Sequence, residues 1–297
     1  MSKATDQALT SIASLVIGMM EDHGANWTKP WKDAVRRAGD PISAKKRVYT
    51  GVNRLNLGLI LAVKGFNSPV FGTYKQWQSL GAQVTKGQAG FKVIFFTPFK
   101  VADAATGKDK FVPCFKAFTV FNADQVENWD GSWIEEDDAE EEQQWNDVAT
   151  ADALIDAVGA DIRYLNQNRA FYSPSEDFIA LPLRQQFKDD SGFYGTAFHE
   201  LVHWTGHETR EARSFGVRFG SDDYAFEELI AELGAAMLSN VTQVDATPRE
   251  DHAVYLNNWI KCLKDNPKAI SKAASLAEKA VKFVTNAAAP ASVEVTA

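Results

Sequence analysis

The apolar positions of the chain follow two kinds of pattern. Residues 6–22 and 222–240 carry apolar side chains three and four positions apart, which is the spacing of one face of a helix. Residues 91–99 and 110–121 are rich in Phe and Val and are separated by a polar loop, which indicates two strands. Further helices are predicted up to residue 62 and over 74–80, 145–158, 251–265 and 267–286, and further strands over 162–164, 170–172 and 178–181. The pattern predicts an α+β protein.

Two segments of the first half interrupt the regular pattern. Residues 27–32 read Trp-Thr-Lys-Pro-Trp-Lys. Because proline fixes its own backbone φ, we predict an extended turn there. Residues 83–90 contain two glycines and predict a hairpin turn before the first long strand.

The net charge changes sign along the chain. Residues 1–120 carry 17 Lys+Arg against 7 Asp+Glu, a net charge of +10, and the other residues carry 14 against 32, a net charge of −18, which together give −8. A run of acidic residues at 135–142 is typical of a solvated linker. We therefore predict two domains, of which the first is small, basic and α+β. The predicted boundaries are 1–127 for the basic domain, 128–144 for the acidic linker, 145–286 for the second domain and 287–297 for a flexible tail.

Cysteine usage and hydropathy indicate the compartment. The two cysteines, Cys114 and Cys262, lie in different predicted domains, which suits a reducing cytosol better than a disulfide framework. No secretory signal is evident, and no apolar run approaches the roughly 20 residues of a membrane span. We expect a cytoplasmic protein with no membrane partner.

Residues 199–203 read His-Glu-Leu-Val-His, which is the HExxH motif of zinc-dependent peptidases. His199 and His203 are four residues apart, so on a helix both imidazoles can bind one metal ion. Glu200 lies beside the first ligand and can act as the general base. Two ordinary surface histidines are the alternative, but three of the five His of the chain fall within nine residues here. A helix N-cap and a helix stop are supplied by Ser191 and Gly206.

A catalytic zinc site needs a third protein ligand and an open position for water. His207 lies four residues beyond His203, but it follows the predicted helix end at Gly206. The longer motif, in which a third His lies six residues after the second, would require His at the position of Thr209. His207 is therefore the weaker candidate.

The next predicted helix, 222–240, supplies two better candidates. Glu228 and Glu232 are four residues apart on one face, and carboxylates in an otherwise apolar helix are costly to bury unpaired. We predict Glu228 as the third ligand and Glu232 as a hydrogen-bond partner of a ligand His. The alternatives are Glu232 as the ligand, or a solvated acidic stripe that also includes Glu227. The expected cofactor is one divalent metal, with zinc first and other divalent transition metals as alternatives.

Two further features of the second domain bear on peptide hydrolysis. His252 could stabilise an oxyanion as an electrophilic side chain, and an ordinary surface or capping His is the alternative. The predicted strand 178–181 could be an edge strand that pairs with an extended substrate, and a core strand is the alternative.

Aromatic residues interleaved with Lys and Arg characterise the basic domain. Bases of a single strand stack on such rings while the cations follow the phosphates. Phe95, Phe99, Phe115 and Phe118 are instead predicted core residues. The residues predicted to contact single-stranded DNA are Trp27, Lys29, Trp31, Lys32, Lys45, Lys46, Arg47, Tyr49, Asn53, Arg54, Tyr74, Lys75, Trp77 and Lys86.

The motifs of the chain resemble a known family in their order. The first domain resembles the ArdC-type N-terminal domain at residues 27–31, 49–53, 73–76 and 84–88. The second resembles the zincin-like metallopeptidase domain of plasmid and phage polyvalent proteins at residues 199–207, 219–221 and 227–233. One departure is Gln88, where the family pattern has Glu.

The resemblance implies a plasmid-type antirestriction protein that binds single-stranded DNA and carries a metalloprotease site. Such a protein protects incoming DNA from host restriction in the recipient cell, and its peptidase substrate would be a host restriction or DNA-associated protein. The alternative is a non-proteolytic single-stranded-DNA-binding protein whose metal-stabilised second domain is a protein-binding platform. Glu200 favours retained chemistry, because a purely structural metal site has no use for a base there.

Overall fold

The computed structural model describes residues 3–102, 109–133, 148–215, 222–244 and 255–288. The mixture of helices and strands confirms the predicted α+β class. The chain forms two compact units, and neither is a single stretch of sequence. The first unit consists of Met1–Met19, Asp33–Glu141 and Leu263–Lys272, and the second of Met20–Lys32, Glu142–Cys262 and Ala273–Ala297. Most of the predicted acidic linker and tail lies outside the described residues.

The chain up to residue 133 alternates helices with strands. The helices are α1 (Lys3–His23), α2 (Lys29–Ala38), α3 (Gly51–Lys64) and α4 (Tyr74–Ser79). The strands are β1 (Ile42–Ser43), β2 (Val70–Thr73), β3 (Gln83–Val84), β4 (Phe91–Ala102), β5 (Asp109–Asn122) and β6 (Val126–Glu127). The predicted pair of long strands is confirmed as β4 and β5, which are antiparallel.

The core of the first unit lies between α3 and a sheet with the strand order β1-β2-β5-β4. Strand β1 is parallel to β2, and the other neighbours are antiparallel. Helix α3 ends at Gly65, whose φ of 66° is in the left-handed region that favours glycine. The core cluster contains Leu57, Ile60 and Leu61 of α3 together with Phe71, Val93 and Val120 of the sheet.

The prediction of an extended turn at residues 27–32 is wrong. Helix α2 begins at Lys29, so Pro30 lies in its first turn, where the missing amide proton breaks no helical hydrogen bond. Trp27 and Trp31 are four residues apart, and both are completely buried. The segment is therefore packed as the start of a helix.

The rest of the chain forms a small sheet and a set of helices. The strands are β7 (Asp161–Leu165), β8 (Phe171–Ser173) and β9 (Phe178–Pro182). The helices are α5 (Val148–Ala157), α6 (Asp190–Thr205), α7 (Asp222–Thr242), α8 (Leu256–Asp265) and α9 (Ala269–Ala288). No helix in these ranges or in the earlier described part is long and apolar enough to cross a membrane.

Strand β9 is the central strand of its sheet. The order is β7-β9-β8, with β7 parallel and β8 antiparallel to β9. The prediction of an edge strand at 178–181 is therefore wrong, and the core-strand alternative holds. Every residue of β9 is buried, which explains its uninterrupted apolar sequence.

Helices α6 and α7 pack closely because of one glycine. A β-carbon on Gly234 of α7 would lie 2.7 Å from Cγ2 of Val202 in α6. Real side chains do not approach so closely, so only glycine fits at this crossing. The contact brings the HExxH helix against the helix that carries the predicted glutamate ligand.

Candidate metal centre

Helix α6 supplies three of the predicted functional side chains. Its N-cap is Asp189, whose carboxylate accepts a hydrogen bond from the amide of Gly192 at 2.9 Å. The prediction of Ser191 as the cap is wrong, because Ser191 already lies in the first turn. His199, Glu200 and His203 are all buried on this helix.

His199, His203 and Glu228 come together at one point. Their nearest ligand atoms all lie within 4.8 Å of one another. The Nε2 atoms of the two imidazoles are 3.0 Å apart. The Glu228 carboxylate lies 3.3 Å from Nε2 of His199 and 3.7 Å from Nε2 of His203. Two imidazoles and one carboxylate are the donor set of a catalytic divalent-metal site.

A second carboxylate lies behind each imidazole. Glu232 is 3.8 Å from Nδ1 of His199, on the side away from Glu228. Glu227 is 3.3 Å from Nδ1 of His203. Glu227 is at hydrogen-bond distance and fixes the ring orientation of His203, leaving Nε2 directed at the ligand position, whereas Glu232 is at ion-pair distance from His199. The sequence predicts Glu232 as a hydrogen-bond partner of a ligand His, but its 3.8 Å separation from His199 is longer than a hydrogen bond. The hydrogen-bonded carboxylate is Glu227, which the sequence places only in the alternative solvated stripe.

Glu227 is itself held by Arg213, a residue that the sequence analysis did not identify. The guanidinium donates to both Glu227 carboxylate oxygens, the closest contact being 2.9 Å, and also to the Val202 carbonyl at 2.6 Å. The Arg213 and Glu227 side chains are only 3% and 4% exposed. No motif signals this arginine, since it lies in irregular chain after α6.

The surrounding carboxylates dominate the electrostatics of the site. Burial lowers the pKa of His203, but its hydrogen bond with Glu227 and the charges of Glu228, Glu227 and Glu200 outweigh burial and raise that pKa to about 9. Burial raises the pKa of Glu228, but the hydrogen bond with His199 and the nearby imidazoles hold it far below its usual range. The carboxylates thus make the cluster a strong binding site for positive charge.

A phenol near the start of α7 adjoins Glu228, and a second phenol adjoins the first. Tyr224 hydrogen-bonds to Glu228, and its hydroxyl lies 3.4 Å from the hydroxyl of Tyr255. Burial and these hydrogen bonds raise the pKa of Tyr224, so its phenol stays protonated and can donate. Neither tyrosine was predicted, because their pairing joins segments far apart in sequence.

His207 does not join the cluster. Nδ1 of His207 lies 2.8 Å from the Thr209 hydroxyl and 4.0 Å from Asp177. His207 is therefore outside the group formed by His199, His203 and Glu228 among the described residues. His252 lies outside the described residues.

Most of the aromatic rings predicted to stack on DNA are not accessible. Trp27, Trp31 and Trp77 have no exposed surface, and Tyr49 is 6% exposed. The expectation that these rings lie on the surface is wrong, because they pack into the cores of the units. The indole of Trp77, for instance, donates to the Phe121 carbonyl at 3.0 Å.

Three polar residues of the predicted DNA surface are engaged inside the protein. The Asn53 side chain donates a hydrogen bond from Nδ2 to the Ile94 carbonyl at 2.7 Å, and its Oδ1 accepts one from the backbone N–H of Ile94 at 2.8 Å. Arg54 forms two hydrogen bonds with Asp40, at 2.8 and 2.6 Å. Lys32 is 2% exposed. Of the predicted DNA contacts, Lys45 is half-buried, and the exposed ones are Lys29, Lys46, Arg47, Tyr74, Lys75 and Lys86.

The predicted core position of two phenylalanines is also wrong. Phe95 and Phe118 are 44% and 42% exposed, although they lie on the long strands β4 and β5. Phe115 is half-buried. The side chain of Phe99 lies outside the described residues.

Comparison with known families covers most of the chain. Residues 6–121 match the N-terminal domain of the anti-restriction factor ArdC, and residues 149–276 match a zincin-like metallopeptidase domain. Two relatives from Escherichia coli named DNA primase TraC are 34% identical over 292 residues and 33% identical over 290 residues. Both alignments cover 92% of this chain but only 26% and 19% of the TraC proteins, so the chain spans about a quarter or less of their length.

Other relatives match over most of their length. The uncharacterized protein y4eC of Sinorhizobium fredii is 33% identical over 276 residues, which is 90% of this chain and 88% of that protein. The metal-free crystal structure of antirestriction protein ArdC from plasmid R388 has a TM-score of 0.75 and 35% identity, covering 94% of this chain and 97% of that one. Its Mn(II)-bound structure has the same TM-score, with 34% identity and coverage of 95% and 98%. The chain therefore belongs to the ArdC family of antirestriction proteins.

Proposed function

We propose that this chain is a metal-dependent peptidase that also binds single-stranded DNA, and that the two activities together protect incoming DNA from host restriction. The observation that carries the peptidase part is the buried group His199, His203 and Glu228 with Glu200 adjacent to it. His199, His203 and Glu228 would hold one divalent ion. Zinc suits two imidazoles and a carboxylate, and manganese is an alternative because a relative has an Mn(II)-bound structure.

The protein residues supply the remaining chemistry. A divalent ion bound there polarises a peptide carbonyl and lowers the pKa of water. Glu200 accepts the proton of the attacking water and passes it to the leaving amine. Tyr224, which keeps its proton, can donate a hydrogen bond beside Glu228. Glu227 hydrogen-bonds to His203 and orients its imidazole, and the Glu232 carboxylate lies near Nδ1 of His199.

The DNA-binding part rests on charge and exposure in the first unit. Residues 1–120 have a net charge of +10, and Lys46, Arg47, Lys75 and Lys86 are exposed there. Such a surface attracts the phosphates of nucleic acid and makes binding depend on salt. The first unit thereby keeps the peptidase site near the DNA that the protein protects.

Metal analysis of purified variants tests the site. We expect about one divalent ion per wild-type chain and none in His203→Ala or Glu228→Gln. Glu232→Gln should keep the ion with roughly 10- to 100-fold lower affinity, because it loses only the partner of His199. Equal metal content in wild type and His203→Ala would contradict the site. Metal kept by Glu228→Gln but lost by Glu232→Gln would transfer the third-ligand role to Glu232.

A further inference from the structure

Two exposed phenylalanines form a pair on the first unit. The rings of Phe95 and Phe118 lie 5.5 Å apart in an edge-to-face arrangement with an interplanar angle of 77°. Both keep more than two-fifths of their surface exposed in the whole chain. Contiguous exposed apolar side chains are a feature of interaction surfaces.

The two rings share their face of the sheet with a cation. Phe95 of β4 is paired with Lys116 of β5, and Phe118 lies two residues further along β5. Residues two apart on a strand, and residues directly opposite on neighbouring strands, point to the same face. Lys116 is exposed. This face therefore carries two exposed rings and an exposed lysine at neighbouring positions.

One ring of the pair lies against a buried tyrosine. The ring of Tyr49 lies 6.4 Å from that of Phe95, and the Tyr49 hydroxyl bonds the Phe71 carbonyl at 3.4 Å. Because Tyr49 is buried, it anchors the exposed rings to the core. A surface that is already ordered loses little conformational entropy when a ligand binds.

The charge of the surrounding chain indicates the ligand. The exposed residues Lys46 and Arg47 lie three and two residues before Tyr49 in sequence, and residues 1–120 carry a net charge of +10. A ligand with flat apolar faces and a regular negative charge satisfies both the rings and the cations. Single-stranded nucleic acid has these properties, whereas a duplex hides its base faces in its own stack.

We propose that Phe95 and Phe118 form a stacking site for the bases of single-stranded DNA, with Lys116 placed for the adjacent phosphate. This inference rests on the proposed DNA binding and identifies where it occurs. Tyr49 then contributes as the buried support of Phe95 rather than as a stacking ring.

Leucine variants of the full chain test the stacking site. Phe95→Leu/Phe118→Leu keeps apolar bulk but removes the aromatic faces. We expect its affinity for a labelled oligothymidylate to fall roughly 5- to 150-fold, the usual effect of losing one base-stacking contact. Its affinity for an oligonucleotide of equal length made only of abasic sites should match the wild type. Phe95→Tyr keeps an aromatic ring and should bind the oligothymidylate as the wild type does. Val63→Ala, at another exposed apolar position, should leave this affinity unchanged.

Lys116→Gln provides the complementary measurement. The slope of log affinity against log salt should decrease by about 0.7 for both oligonucleotides, because one phosphate contact is lost. Unchanged oligothymidylate affinity in a folded double-leucine variant overturns the stacking site while the DNA-binding proposal stands. A wild-type protein that binds neither oligonucleotide overturns the DNA-binding proposal itself.

Discussion

The buried Arg213 guanidinium connects the chain after α6 to the metal centre. It bonds the Thr205 hydroxyl at 2.9 Å and the Val202 carbonyl, as well as the Glu227 carboxylate. Removing one member of a buried ion pair leaves the other charge uncompensated. Since Glu227 also contacts His203, the pair determines both the local stability and the position of a ligand ring.

Glu227→Gln tests this pair. The variant keeps the shape of the side chain but leaves Arg213 without a charged partner, so we expect about 3–5 kcal/mol lower stability. Divalent-metal affinity should fall roughly 10- to 100-fold, because His203 loses its carboxylate partner. Denaturant unfolding of the metal-free protein and calorimetric metal titration measure the two effects. Glu208→Gln, at an exposed position in the chain after α6, is the control. Metal affinity equal to wild type would contradict the role of Glu227.

Gly234 is the second residue that controls the geometry of the site. An added β-carbon would lie 2.7 and 3.0 Å from the two methyl groups of Val202. In a helix interior, Gly→Ala alone stabilises by about 1 kcal/mol. We expect Gly234→Ala instead to destabilise by about 1–3 kcal/mol through overpacking. The paired variant Gly234→Ala/Val202→Ala should be more stable than the sum of the single effects, by about 0.5–3 kcal/mol. Additive denaturant-unfolding energies would exclude the proposed contact.

The metal-centre residues were predictable because their signal is local. His199 and His203, and Glu228 and Glu232, are four residues apart, and the helical repeat alone brings each pair to one face. No local sequence signal of this kind shows which aromatic rings are exposed and which are buried. Trp31 lies beside Lys32, whereas Phe95 lies between Ile94 and Phe96, yet packing buries Trp31 and leaves Phe95 exposed.

At the scale of elements, the largest errors concern segments whose partners are distant in sequence. Strand β2 spans only Val70–Thr73 and is stabilised by pairing with Phe121 and its neighbours in β5. A strand of only four residues is too short for the alternation of its apolar and polar positions to identify it in the sequence. The sequence likewise does not predict the central position of β9, because a buried apolar run is compatible with either a central or an edge strand.

The β8–β9 hairpin is attached to the chain after α6 by Asp177. Its carboxylate accepts hydrogen bonds from Arg210 and from the Tyr172 hydroxyl, the latter at 2.9 Å. Arg210 also donates to the Trp204 carbonyl at 2.7 Å at the end of α6. Asp177 has a φ of 53°, a left-handed conformation that Asp and Asn tolerate better than most residues.

Asp177→Asn should reduce stability at neutral pH in a pH-dependent way. The hydrogen bonds from Arg210 hold the pKa of Asp177 below its ordinary value of 3.8, so the unfolded chain binds the proton more tightly than the folded one. The stabilisation is therefore complete above 3.8 and is lost as the pH falls through the lower folded-state pKa. Melting temperatures of wild type and variant should differ at neutral pH and converge in acid. Asn preserves the backbone preference, so a constant difference at all pH values would contradict the ionic contribution.

At the scale of the whole molecule, the boundaries could not be predicted from charge alone. The change from basic to acidic sequence predicts a boundary near residue 127, whereas Met20–Lys32 belongs to the second compact unit and Leu263–Lys272 to the first. The amino-acid composition of a segment does not indicate that it packs apart from its sequence neighbours. Functional tests of either unit therefore require the full chain rather than a fragment cut at residue 127.

Separating the two proposed activities is the decisive experiment for the whole molecule. Glu200→Gln removes the general base but keeps His199, His203 and the helix, so metal content and single-stranded-DNA affinity should equal the wild type. Peptide hydrolysis should fall by ~10²–10⁴, the usual contribution of a positioned acid–base group. Lys46→Gln/Arg47→Gln should weaken DNA binding, more at low salt than at high salt, and leave hydrolysis unchanged. We expect each variant to lose protection of transferred DNA in a restricting recipient, because the proposed function requires both cutting and DNA binding. Full protection by Glu200→Gln would instead favour the non-proteolytic binding platform.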